Sequence, residues 1–263
     1  MTTRRTLLPL LVFACAWTVL TFTSRAATIS MHVTCAVTET YLIVEVVNRG
    51  DEPAQNVSAE VAFLDRLYNS PSRGRLGPGE WLRATFPIAK RELTGTYPAV
   101  VTVYFEDLNA YPFSSVTVHP VAFGAARVPR IFGTLEGGRL RKKKDLKLRI
   151  RNHSASQIDL RCRVMVAREM LADNPERELV LPANGLLTLE VPLENFSVLP
   201  GSTYPVYVLL EYDENGEHFC AIASASVNVE RALPLMSVGF WVLLLVAVSG
   251  IGLAFLKSRA KHC

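Results

Sequence analysis

The residues of this chain that could do chemistry are few and far apart. Its five histidines, His32, His119, His153, His218 and His262, form no His-x-x-x-His pair, and no Gly-x-Ser-x-Gly elbow is present. A helical zinc site needs the first spacing and a strand-to-helix serine nucleophile the second. Most acids fall in turns or at alternate positions of apolar stretches, so the chain is expected to be non-enzymatic, with no cofactor and no metal. The densest acid cluster is Asp213-Glu214-Asn215-Gly216-Glu217, with Glu106-Asp107-Leu108-Asn109 at a comparable place upstream. Alternating oxygen ligands could meet Ca²⁺, but the run lacks the other ligands of an EF-hand loop. Asn-Gly between two strands instead signals a tight hairpin.

Cys35, Cys162 and Cys220 are odd in number and show no metal-site spacing. Cys162 falls on the apolar face of Ile158, Leu160, Val164 and Val166, whereas Cys220 is expected to point outward; a Cys162–Cys220 disulfide is left open. Arg49-Gly50-Asp51 spells an integrin-binding tripeptide, yet it lies between two alternating stretches, ending at Val47 and resuming near Val57. Gly for positive φ, with Asn48 and Asp51 to bond local backbone, reads as a turn. The most unusual surface stretch is "RLRKKKDLKLRIR", residues 139–151. Its bases are Arg139, Arg141, Lys142, Lys143, Lys144, Lys147, Arg149 and Arg151. With Leu146, Leu148 and Ile150 facing a core, Lys147, Arg149 and Arg151 align on the outer face of a strand. Such a surface could grip an anionic glycan or lipid headgroups. Internal neutralisation is the competing reading, because residues 152–232 hold twelve acids against five bases.

The elements that must position these residues begin with the two ends. Arg4-Arg5, an apolar stretch from Leu7 to about Phe22, and small residues at Ser24 and Ala26 describe a signal peptide over 1–26. Residues 233–256 are almost wholly apolar, long enough for a transmembrane helix across roughly 30 Å of hydrocarbon. Behind them Lys257, Arg259 and Lys261 mark 257–263 as a short basic cytoplasmic tail, which places everything before the span outside. Three of the 28 Lys and Arg lie in the signal region and three in the tail, leaving 22 against all 24 acids between them. The basic balance therefore follows topology and excludes a nucleic-acid partner.

Between the ends the sequence repeats. "LIVEVVNRGDEPAQNVSAEVAFLD" (42–65) is echoed by "LKLRIRNHSASQIDLRCRVMVARE" (146–169), and "TGTYPAVVTVYFEDLNAYPF" (94–113) by "GSTYPVYVLLEYDENGEHFC" (201–220). Asn48 and Asn152 stand 104 apart, and Tyr97 and Tyr204 stand 107 apart, so the register holds through the unit. Period-two patterning with Gly/Pro punctuation predicts two antiparallel β-sandwiches, 27–123 and 124–232. Tyr97, Ala99, Val101, Val103 and Phe105 form one apolar face; Tyr204, Val206, Val208, Leu210 and Tyr212 form its counterpart.

A Tyr just after a Gly-containing turn, as at Tyr97 and Tyr204, resembles the tyrosine corner of immunoglobulin-like domains and implies a structural role for both. "VEVVNRGDEPAQNVSAEV", followed by "GPGEW" and "GTYPAVVTV", resembles bacterial CARDB-type Ig-like modules. The second repeat departs from that pattern with His153-Ser154 in place of Arg49-Gly50. The resemblance implies tandem immunoglobulin-like sandwiches in an extracytoplasmic setting, serving accessory or adhesive roles without catalytic residues. The arrangement is also similar to the translocon-associated protein beta subunit family, which has one lumenal domain where this chain has two. "LPLMSVGFWVLLLVAVSGIGLAFLKSRA" resembles the C-terminal sorting tails processed by exosortase-like enzymes.

The resulting expectation is an all-β, single-pass membrane protein with its N-terminal region periplasmic or extracellular. Its partners would be the bilayer, through the C-terminal helix, and a protein of the cell envelope or secretory pathway, with an anionic glycan as the alternative.

Overall fold

The computed structural model describes residues 28–88, 93–125 and 127–230. The expected signal peptide, transmembrane helix and basic tail lie outside the described residues. Among the described residues every regular element is a β-strand, and no helix is long and apolar enough to cross a membrane. The chain divides into two compact units. The first comprises Met1–Val128 with Asp213–Cys220, and the second Pro129–Tyr212 with Ala221–Cys263.

The first unit contains β1 (Met31–Val37), β2 (Tyr41–Asn48), β3 (Ala54–Phe63), β4 (Arg66–Asn69), β5 (Arg73–Leu76), β6 (Trp81–Pro87), β7 (Gly95–Glu106) and β8 (Pro112–Phe123). One layer is the antiparallel sheet β1-β2-β6; the other runs β4-β3-β7, with β8 on β7 and β5 on β3. Alternation dictates this arrangement. In β2, Leu42, Val44 and Val46 are buried; in β3, Val57, Ala59, Val61 and Phe63; in β7, Ala99, Val101 and Val103. These side chains from both layers form one cluster, the interior of a sandwich. Strand β3 starts at Ala54, three residues before the alternation resumes at Val57. A register shift between Gln55 and Ser58, with Asn56 at φ 51°, forms a bulge that hides the earlier pairing from a period-two reading.

The second unit contains β9 (Ile131–Leu135), β10 (Gly138–Leu140), β11 (Lys143–Asn152), β12 (Ile158–Met165), β13 (Met170–Ala172), β14 (Glu176–Leu181), β15 (Leu186–Asn195) and most of β16 (Thr203–Glu214) and β17 (Glu217–Val229), whose joining hairpin, Asp213–Cys220, belongs to the first unit. Its layers are β13-β15-β11-β9 and β14-β12-β16-β17, the latter closed by β10, which pairs parallel to the end of β17. Leu146, Leu148 and Ile150 from β11 are buried, as are Leu160 and Cys162 from β12 and Val206, Val208 and Leu210 from β16. The hairpin joining β16 to β17 turns through Asn215 (φ 53°) and Gly216 (φ 78°), both left-handed, as a two-residue turn of this type requires.

Candidate functional site

The loops after β2 and β11 are built around the same residue. Asn48 is completely buried; its Nδ2 donates to Glu52 O (2.7 Å) and Leu76 O (3.1 Å), and its Oδ1 accepts from Gly50 N (2.9 Å). Asn152, equally buried, donates through Nδ2 to Ser156 O (2.9 Å) and Pro182 O (2.9 Å), and accepts from Ser154 N (2.8 Å). Each asparagine thus replaces backbone partners that the loop cannot supply for itself.

This geometry fixes the Arg-Gly-Asp tripeptide as part of a packed loop. Arg49 N donates to Ser30 O (2.7 Å) and Asp51 N to Thr28 O (2.9 Å), while the Asp51 carboxylate accepts from the amide and hydroxyl of Thr28. A Cβ on Gly50 would stand 2.1 Å from Thr28 O, so the glycine is required by close backbone approach. An Asp whose carboxylate is held by its own domain is poorly placed to serve as an adhesion ligand.

The acid clusters close turns. Asp107 Oδ1 accepts from Asn109 N (2.8 Å) and Tyr111 N (2.9 Å). The Tyr111 amide above all, with help from Asn109, holds the carboxyl below its ordinary value. Asp213 Oδ1 meets His218 Nδ1 at 2.9 Å, and the His218 ring stacks on Tyr97 at 4.4 Å within the first unit.

Tyr204 is buried and its hydroxyl accepts from Leu199 N (3.2 Å); the Tyr97 hydroxyl donates to Thr94 O at 3.5 Å. Both tie back to backbone a few residues upstream.

The cysteines correct one expectation. Cys162 and Cys220 are thiols with no disulfide between them, and Cys220 is buried, not outward. Phe113, its aligned residue, marks the strand position but not the face, because β17 meets a different set of neighbours from β8. Burial pushes the Cys162 thiol up to about 11, against a smaller opposing pull from Arg177. Desolvation likewise pushes Cys35 to about 11.

The basic stretch is the one exposed assembly of like charge that the sequence singled out. All eight bases, Arg139, Arg141, Lys142, Lys143, Lys144, Lys147, Arg149 and Arg151, are exposed. They divide into two groups. On the outer face of β11, Arg149 pairs with Glu136 (2.8 Å), and Lys147 stands opposite Glu190 in the β11–β15 register. At the start of β11, Lys143 pairs with Glu194 (3.0 Å). Among the described residues no carboxylate pairs with Arg139, Arg141, Lys142 or Lys144. These four surround the turn between β10 and β11.

That turn is pinned. Asn195 donates from Nδ2 to Arg141 O (2.9 Å) and from its amide to Lys142 O (2.8 Å). Residues 138–140 of β10 lie beside 227–229 of β17, and Glu230 N donates to Leu140 O (3.0 Å). The basic turn therefore lies at the end of the unit where the chain leaves its last strand. A three-residue parallel strand carries no periodic signal, so the sequence reading missed this placement.

No family model matches this chain, and no curated protein matches it. Among solved structures, a Salmonella alpha-2-macroglobulin reacted with methylamine is similar at 12% identity and TM-score 0.35, covering 79% of this chain and 16% of that one. A red sea bream transglutaminase shows 9% identity and TM-score 0.28, covering 77% and 31%. The cupredoxin domain of amoB from Nitrosocaldus yellowstonii shows 15% identity and TM-score 0.26, covering 34% and 57%. The chain thus spans a minor part of the macroglobulin and transglutaminase chains. Likenesses this distant assign neither activity nor partner.

Proposed function

We propose that this chain is a membrane-anchored extracytoplasmic protein that acts without catalysis as a binding or scaffold subunit of a cell-envelope or secretory-pathway assembly. In this reading the two sandwiches are immunoglobulin-like modules of the kind the sequence resembles. The span 233–256 is their transmembrane helix, and the Lys257-to-Lys261 tail is cytoplasmic.

The observation that carries the reading is the use of polar groups in the two modules. Asn48, Asn152, Asp107 and Asp51 each make side-chain hydrogen bonds to backbone of their own unit. Side chains committed in this way brace loops that present a surface; they are not poised to exchange protons or ligands. In the basic turn of the second unit, Arg139, Arg141, Lys142 and Lys144 meet no carboxylate among the described residues.

In-cell crosslinking of the full-length protein, followed by mass spectrometry, tests this. The reading expects a recurrent envelope protein crosslinked to the modules and co-purifying with them. Recovery of the chain alone, with turnover of a small-molecule substrate by the purified protein, would overturn it. The second reading, an anionic-glycan adhesin, is favoured by the exposure of Arg139, Arg141, Lys142 and Lys144. It expects the full chain to be retained on a sulfated polysaccharide and released by salt.

A further inference from the structure

We propose that the turn Arg141–Lys144, with Arg139 beside it, is a contact for the phosphates of anionic lipid headgroups, drawing the second unit down onto the bilayer. The inference rests on reading 233–256 as the anchor.

Three observations carry it. The first is place. Glu230 N is bonded to Leu140 O, and only Arg231 and Ala232 separate Glu230 from the apolar span. Three residue steps reach at most about 10 Å. With the roughly 5 Å between neighbouring strands added, Leu140 lies no more than about 15 Å from the start of the span, a gap that the long side chains of the turn help to close toward the headgroups.

The second is charge. Lys143 is engaged by Glu194, but Arg139, Arg141, Lys142 and Lys144 meet no carboxylate among the described residues. Asp145, the one acid in the stretch, is exposed at an outer-face position of β11, two residues before Lys147, and the buried alternation begins at Leu146. A base close to an anionic bilayer gains about fivefold in surface affinity, so four together are enough to bias the orientation of a tethered domain.

The third is preorganisation. Asn195 fixes the carbonyls of Arg141 and Lys142, so the side chains project from a backbone already ordered. Contact with headgroups then costs only side-chain freedom. Lys144 is also steadied, since its stem lies over Gly138, with Cε 3.1 Å from where a Cβ on that glycine would stand. The bases on the outer face of β11 are distinct from this set, because Glu136 and Glu190 share that face.

The test uses the full chain in nanodiscs of phosphatidylcholine alone, or with about 30% phosphatidylglycerol, read by amide hydrogen exchange over 139–146. Anionic lipid should slow exchange in this segment about tenfold relative to neutral lipid, and roughly 1 M salt should remove the difference. The combined substitution R141E/K142E/K144E should abolish it, as should R141Q/K142Q/K144Q, which leaves the Asn195 bonds to backbone intact. Exchange in β12 should not change with lipid. A chain that inserts but exchanges equally in both lipids would overturn the headgroup contact and leave the anchor standing. A chain that fails to enter nanodiscs would overturn the anchor and this inference with it. Protection that appears with added heparin but not with phosphatidylglycerol would identify the turn as a glycan site and also overturn the inference.

Discussion

Asn48 and Asn152 decide how the two repeats are built. Each is completely buried and has its amide and carbonyl occupied by loop and strand backbone. Asn48→Ala or Asn152→Ala strands those groups, and each should cost about 3 kcal/mol in denaturant-derived stability. A loss below about 0.5 kcal/mol would mean that water replaces the amide. Asp107 offers a pH test. Its folded pKa lies below the ordinary value because Tyr111 and Asn109 amides favour the carboxylate. That stabilisation is present above the unfolded pKa and is lost as pH falls through the lower folded one. Carboxyl NMR should show Asp107 titrating below a typical aspartate, with the 107–111 turn loosening in step. Cys162 runs the other way. Burial raises its thiol from 9.0 to about 11, so stability should decline as pH rises through that window, and alkylation at neutral pH should require unfolding.

Strand pairing, at the next scale, rests on alternation reinforced by a few polar clamps. Arg163 on β12 reaches Glu211 on β16 through Nη2 at 2.6 Å and Nε at 2.8 Å, with the Glu211 side chain only 10% exposed. Arg163→Ala leaves that carboxylate without its guanidinium in a shielded site and should destabilise the second unit by about 3 kcal/mol. Arg161→Ala, whose ion pair with Glu176 is half-exposed on both sides, should cost less than about 1 kcal/mol in the same thermal or chemical melt. The alternating faces were legible in advance. Leu146, Leu148 and Ile150 inside, with Lys147, Arg149 and Arg151 outside, follow from period two alone. The Asn215-Gly216 turn was legible for the same reason, because its chemistry is local. Two features were not. The bulge at Asn56 breaks the period, and the parallel pairing of β10 with β17 joins residues about ninety apart through a strand of three. Burial of Cys220 was missed because the face of a strand depends on which neighbours it acquires.

Across the whole molecule two kinds of feature meet. The sandwiches are all-β units whose polar residues brace their own loops, and the flanking sequence carries an apolar span with a basic end. The Arg-Gly-Asp tripeptide belongs with the first kind. Gly50 sits against Thr28 and Asp51 is held by it, so Gly50→Ala should lower stability by about 2 kcal/mol through displacement of the Thr28–Ser30 segment. Cell adhesion to the full chain should be unchanged by Asp51→Glu.

We propose that the modules are tethered outside the membrane by the span after Glu230. Alkaline carbonate extraction of membranes from cells producing the full chain, combined with protease added from outside, tests it directly. The expected result is that the chain stays in the membrane pellet, that its β-sandwiches are reached by external protease when conditions loosen them, and that a tag after Cys263 is protected. Release of intact chain into the carbonate supernatant, or digestion of the tag with the modules protected, would contradict it.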